Sequence, residues 1–351
     1  MGPVSANLPV IDLASPDIAA ATKSVRQGLM DYGFLYVINH GIDEATLKSV
    51  YAESKKFFEQ PMEEKMKYEK HSTHRGYIPP ETEGFEADSG GKGDLLECFH
   101  IGSSESKARA VNVWPSAECL PSWKETMESY YDCAMATSKK ILSLIALSLD
   151  LDAEFFQPDR PETILRIIHY SGHARGSKYG SDKGANPHTD VGMLTLLSTD
   201  GTPGLQICRD KDARPQLWED VHHIEGALVV NIGDLLERWT NNVYRSTLHR
   251  VLLVGKERYS VAFFVWPSPD TMITCIESCR NEANPPRSSS ITKIFDLFGY
   301  LVYLMLPKLG TFSDMRLLGP MNSWSKYWPL LYTNTNKLLY PLSKKHSVDA
   351  I

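Results

Sequence analysis

The stretch that decides the fold runs from Asn186 to Leu197 and reads NPHTDVGMLTLL. It opens with His188-Thr189-Asp190 and passes into apolar residues that alternate as a buried strand does. Side chains two apart in a strand leave on the same face. A strand beginning near Pro187 therefore aims His188 and Asp190 one way and Thr189 the other. An imidazole and a carboxylate on one face supply two ligands for a divalent metal. Alone, a His-x-Asp triplet is weak evidence, because a chain with this many His and Asp residues produces one by chance.

A second stretch, LHRVLLVGKERYSVAFFVWP from Leu248 to Pro267, strengthens it. Two β-branched, apolar runs flank Gly255-Lys256, a pair suited to a type II′ turn, so a β-hairpin is predicted. In that register Val254 pairs with Glu257 and Leu253 with Arg258. His249 then shares a face with Arg258 and Ser260. Four strand residues span about 13 Å. A small dicarboxylate could bridge that gap, held by metal at one end and by guanidinium and hydroxyl at the other.

His188, Asp190 and His249, followed by Arg258-Tyr259-Ser260, resemble the 2-His-1-carboxylate and R-x-S pattern of Fe(II)/2-oxoglutarate-dependent dioxygenases. Within these the chain is similar to the isopenicillin-N-synthase-like branch abundant in plant specialised metabolism. Leu8-Pro9-Val10-Ile11-Asp12 is like that family's opening strand, and Gly33 to Gly41, GFLYVINHG, is like its GFF-x-v-x-NHG signature. Arg75-Gly76-Tyr77 and Asn231-Ile232-Gly233-Asp234 also fit, so the likeness covers roughly residues 8–286.

The resemblance implies an α+β fold, a double-stranded β-helix (jelly roll) braced by helices. It implies Fe(II) on His188, Asp190 and His249, with 2-oxoglutarate chelating the iron and its far carboxylate on Arg258 and Ser260. Tyr170 stands where the family commonly has a tyrosine hydrogen-bonded to that carboxylate. O₂ is the co-substrate and ascorbate the reductant. Oxidative decarboxylation to succinate and CO₂ then drives hydroxylation, desaturation or demethylation of a small molecule. Many plant relatives have Asn two residues before the tyrosine; here Ile168 replaces it. Three other readings remain open: a same-fold Fe(II) oxidase that does not use 2-oxoglutarate, a non-catalytic small-molecule-binding barrel, and a cupin-type isomerase or hydrolase.

Three regions are expected: residues 1–94 as an N-terminal region of helices and edge strands, 95–286 as the catalytic core, and 287–351 as an atypical tail. The family likeness stops near Ser288. The apolar run from Ile294 to Leu306 carries Asp296 and is too short to cross a bilayer. An extra layer on the barrel, a membrane-surface segment or a product of alternative splicing or gene-model error would account for the tail, and the last is the favoured expectation.

Composition is that of a globular protein: 351 residues, 42% hydrophobic, with 37 Lys plus Arg against 43 Asp plus Glu. There is no basic run or stripe of the kind that binds nucleic acid. The six cysteines follow no repeating frame and are expected to be reduced, and Cys275 and Cys279 have no further pair to complete a zinc site. No signal core, presequence or myristoylation pattern opens the chain, so the cytoplasm is the expected location. A monomer with a small-molecule substrate and no membrane or nucleic-acid partner is expected.

Among other features, Ser15 and Asp17 are predicted to cap one helix and Asp43 the next, and Trp123 to Leu149 has the apolar steps of a core helix. Asp234 is read as the N-cap of a short helix, and His169 as a packed residue facing away from Tyr170's side. His222 and His223 form a polar connection, while His71 and His74 belong to a solvated segment. Phe264 and the loop after Arg75 are candidate substrate walls.

Overall fold

The computed structural model describes residues 4–69, 75–82, 94–103, 111–157, 161–172, 183–268, 271–286 and 292–293. His71, His74 and the apolar run of the tail lie outside the described residues. The first part holds β1 (Val4–Ser5), β2 (Val10–Asp12), α1 (Ile18–Asp31), β3 (Phe34–Ile38), α2 (Glu44–Phe58), α3 (Met62–Met66) and β4 (Gly76–Ile78). The middle holds β5 (Glu97–Gly102), α4 (Trp123–Leu147), β6 (Glu162–Tyr170), β7 (Lys183–His188), β8 (Leu194–Thr199), β9 (Leu205–Cys208) and β10 (Glu219–Asp220). There follow β11 (Leu228–Ile232), α5 (Asp234–Trp239), β12 (Leu248–Leu252) and β13 (Arg258–Trp266).

Local sequence accounts for the element ends. The Asp17 carboxylate accepts from Ala20 N–H at 2.9 Å and starts α1, and Asp43 accepts from Thr46 N–H at 2.6 Å and starts α2. In α4 the three- and four-residue steps bury Met127, Tyr130, Ala134, Ile141, Leu142 and Ile145.

The strands form two opposed sheets, the double-stranded β-helix. The larger has the order β2-β3-β11-β8-β13-β6-β5-β4, and the smaller β1-β10-β9-β12-β7. Strands β2 and β3 from the N-terminal region extend the larger sheet, and α4 packs against its β8 and β13. Every residue of β13 is buried, because one face meets helices and the other meets the space between the sheets. Tyr131 of α4, for example, stands edge-on to Phe263 with ring centroids 5.1 Å apart.

The predicted hairpin does not form. Strand β12 pairs with β7 and β9, whereas β13 pairs with β6 and β8. Both edges of each strand are thus taken, and residues 253–257 cross from one sheet to the other. The Gly255-Lys256 signal marks that crossing, where Gly255 has φ 75°. His249 and Arg258 consequently face each other across the sandwich instead of sharing one surface.

Candidate active site

The space between the sheets is a cavity. From the smaller sheet its wall takes Ala185, His188, Leu205, His249 and Val251. From the larger it takes Phe34, Arg166, Ile168, Tyr170, Asn231 and the alternate residues Arg258, Ser260, Ala262 and Phe264 of β13.

At one end lie His188, Asp190 and His249, whose ligand atoms all fall within 4.8 Å of one another. Among the described residues they are the one such cluster of His, Cys, Asp or Glu. His188 and His249 are cross-strand partners on β7 and β12, with ring centroids 4.2 Å apart. Asp190 Oδ1 lies 3.6 Å from His249 Nε2 and 3.9 Å from His188 Nε2.

Strand β7 ends at His188, so Asp190 is not on the strand as predicted but in the turn beyond it. The start of α5 grips that turn: Asp234 N–H donates to the Asp190 carbonyl at 2.7 Å, and Leu235 N–H to the Val191 carbonyl at 3.2 Å. Gly233 is needed here, since a Cβ on it would sit 2.6 Å from the Asp190 carbonyl oxygen. The cap of α5 is Gly233 rather than Asp234, which is the first helical residue. The Asp234 carboxyl instead accepts from Thr189 Oγ1 at 3.1 Å, and burial pushes its pKa up to about 7.

Hydrogen bonds ready the three groups for a metal. His188 Nδ1 donates to the Asn186 carbonyl at 2.7 Å, and His249 Nδ1 to the Thr247 carbonyl at 3.1 Å. With the proton on Nδ1, each Nε2 lone pair points at the cluster. Burial, with the neighbouring His249, lowers the His188 pKa to about 3, which keeps the imidazole neutral. Burial alone would raise Asp190, but the two imidazoles and hydrogen bonds from Thr195 and Asn231 outweigh it and hold the carboxyl low. Two imidazoles and one carboxylate are a donor set for a divalent transition ion with open positions.

At the other end Arg258 and Tyr170 are cross-strand partners, with the guanidinium carbon 5.0 Å from the ring centroid. Arg258 Nη1 donates to Ser260 Oγ at 3.0 Å. Arg258 is 3% exposed, its Nε has no hydrogen-bond acceptor, and no carboxylate among the described residues pairs with it. A buried cation so placed fits an anionic ligand. All six predicted site residues therefore meet at one cavity.

Phe264 lines it as predicted, while His169 faces outward, stacked on Tyr259 at 4.7 Å. His222 and His223 bond Ser5 and Thr199, away from the cluster. Cys275 and Cys279 are free thiols. Sequence reasoning missed Thr195 and Asn231, which contact Asp190, and Arg166 in the wall. Each is a polar residue between two apolar neighbours in its strand, which was the available signal.

Two family models match: the N-terminal region of non-haem dioxygenases in morphine synthesis over residues 8–117, and the 2OG-Fe(II) oxygenase superfamily over residues 161–267. Kihadalactone A synthase LFS of Citrus sinensis is 40% identical over 301 residues, covering 81% of this chain and 88% of that protein. Azadirone synthase LFS of Melia azedarach is 41% identical over 297 residues, covering 80% and 88%. Among solved structures, a full-length Neurospora crassa protein in complex with alpha-KG and thymine matches with TM-score 0.73 at 28% identity, covering 86% of this chain and 97% of that one.

Proposed function

The chain belongs to the 2OG-Fe(II) oxygenase superfamily, and on that premise we propose that His188, Asp190 and His249 hold its iron while Arg258, Ser260 and Tyr170 hold the far carboxylate of 2-oxoglutarate. The protein is an Fe(II)- and 2-oxoglutarate-dependent oxygenase that oxidises a small-molecule substrate. The bound iron supplies O₂ activation, with electrons drawn from decarboxylation of the keto acid to succinate and CO₂.

The observation that carries the residue roles is one cavity with the cluster at one end and, at the other, a buried guanidinium that no carboxylate among the described residues pairs with. The imidazoles present Nε2, Asp190 presents one oxygen, and Arg258 with Ser260 and the Tyr170 hydroxyl makes a charged, hydrogen-bonding seat for a carboxylate. Apolar residues Phe34, Leu96, Val251 and Phe264 keep water from the space between.

Substrate meets the wall formed by Phe264, Val251 and Arg166, so a largely apolar molecule fits best. Likeness to the two plant synthases supports a substrate from plant specialised metabolism. We take residues 95–286 as the catalytic core, in the cytoplasm, with β2 and β3 of residues 1–94 completing its larger sheet. The test is a metabolite screen with purified protein, Fe(II), ascorbate and 2-oxoglutarate. Succinate formed in step with oxidised product is expected, and product without succinate would instead mark an oxidase that needs no keto acid.

A further inference from the structure

Asp190 has two carboxylate oxygens, and they are treated differently. Oδ1 faces the two Nε2 atoms at 3.6 and 3.9 Å. Oδ2 accepts from Thr195 Oγ1 at 2.6 Å and from Asn231 Nδ2 at 2.7 Å. A carboxylate oxygen accepts about two hydrogen bonds, so Oδ2 is saturated.

Thr195 and Asn231 are direct cross-strand partners on β8 and β11. They reach from the larger sheet to a turn that extends the smaller one. Both are buried, in the otherwise apolar runs LTLL and LVVNI. Rotating the Asp190 carboxylate to offer both oxygens would strand a buried hydroxyl and a buried amide. The backbone is fixed as well, through the bond from Asp234 N–H to the Asp190 carbonyl.

Resting on the assignment of iron to the three ligands, we infer that Thr195 and Asn231 are positioning residues that set Asp190 as a one-oxygen ligand before metal arrives. A carboxylate offering one oxygen occupies one position on the ion. The remainder of the open face is then left for the keto acid. Both residues act on the metal through Oδ2 of Asp190.

The test titrates anaerobic protein with Co(II), followed by its visible absorption, for wild type, Thr195→Val, Thr195→Ser, Asn231→Leu and Asp190→Ala. Ser198→Ala serves as the control, because Ser198 lies on the same strand but bonds Tyr51 at 2.6 Å on the opposite face. Thr195→Val and Asn231→Leu should raise the Co(II) Kd roughly 10- to 100-fold. Thr195→Ser, which keeps the hydroxyl, should bind close to wild type, and Ser198→Ala should lose thermal stability without losing metal. Thr195→Val and Asn231→Leu proteins that are folded by circular dichroism and bind Co(II) as wild type does would overturn the inference alone. An equal loss of metal in Ser198→Ala would also overturn it. A wild type that binds no Co(II), or an Asp190→Ala protein that binds it equally well, would remove the ligand assignment and the inference together.

Discussion

His249 and Arg258 stand close in sequence yet on different sheets, and both face the same cavity. The crossing between β12 and β13 thus puts metal chemistry on one wall and anion binding on the other. The two ends of the site can be damaged separately.

Substitution of His188, Asp190 or His249 by Ala should abolish turnover and metal binding together. Arg258→Ala should keep the metal and raise the Kd for 2-oxoglutarate roughly 10- to 100-fold, the worth of a charge-assisted hydrogen bond to a buried carboxylate. Equilibrium dialysis for metal beside calorimetry for the keto acid separates the two.

Gly233→Ala should disable the site without touching a ligand side chain. Its Cβ would lie 2.3 Å from the Gly192 carbonyl oxygen and 2.6 Å from that of Asp190, both backbone atoms with little room to move. The turn must shift, at a cost of roughly 1–3 kcal/mol. Urea unfolding and Fe(II) retention should both fall.

Gly184→Ala should act on the opposite end. A Cβ there meets the Tyr170 ring at 2.7 Å and Leu253 at 2.9 Å. Tyr170 would be pushed toward Arg258, so KM for 2-oxoglutarate should rise while metal affinity holds.

On the outer face of the larger sheet Glu97 bonds Lys65 at 2.6 Å, His169 at 2.8 Å, and Tyr77. Burial pushes the Glu97 pKa up, but bonds from His169, Lys65 and Tyr77 outweigh it and hold the carboxyl below its usual 4.5. A carboxyl lowered in the folded state contributes stability that is present above the unfolded value near 4.5 and is lost as pH falls below it. Glu97→Gln should therefore destabilise by roughly 3 kcal/mol at pH 7, where Lys65 is left buried without its counter-charge. The gap to wild type should narrow below pH 4.5 in urea unfolding curves.

The ligands are legible in the sequence because His188 and Asp190 stand at the head of an apolar run and His249 lies within another. Alternation turns His249, Arg258 and Ser260 toward one space, and Asp17 and Asp43 are readable as caps. Alternation reports which face a residue takes, not which sheet its strand joins, so Gly255-Lys256 passes for a tight turn. Asp190 looks like a strand residue although β7 ends two positions sooner, since the backbone bonds from α5 that hold the following turn come from distant sequence. The same distance hides Thr195 and Asn231, whose role exists only once β8 and β11 pair. Asp234 has the residue type of a cap, but the cap sits one position earlier at Gly233, and the Asp234 carboxyl is used by Thr189.

The most direct measurement is an anaerobic titration of the metal-free protein with Fe(II) and then 2-oxoglutarate, watching for the weak metal-to-ligand charge-transfer absorption. One equivalent of each should produce the band in wild type. Asp190→Ala should give none, and Arg258→Ala should need far more keto acid. A full-strength band in Asp190→Ala, or none in folded wild type loaded with Fe(II), would contradict the account.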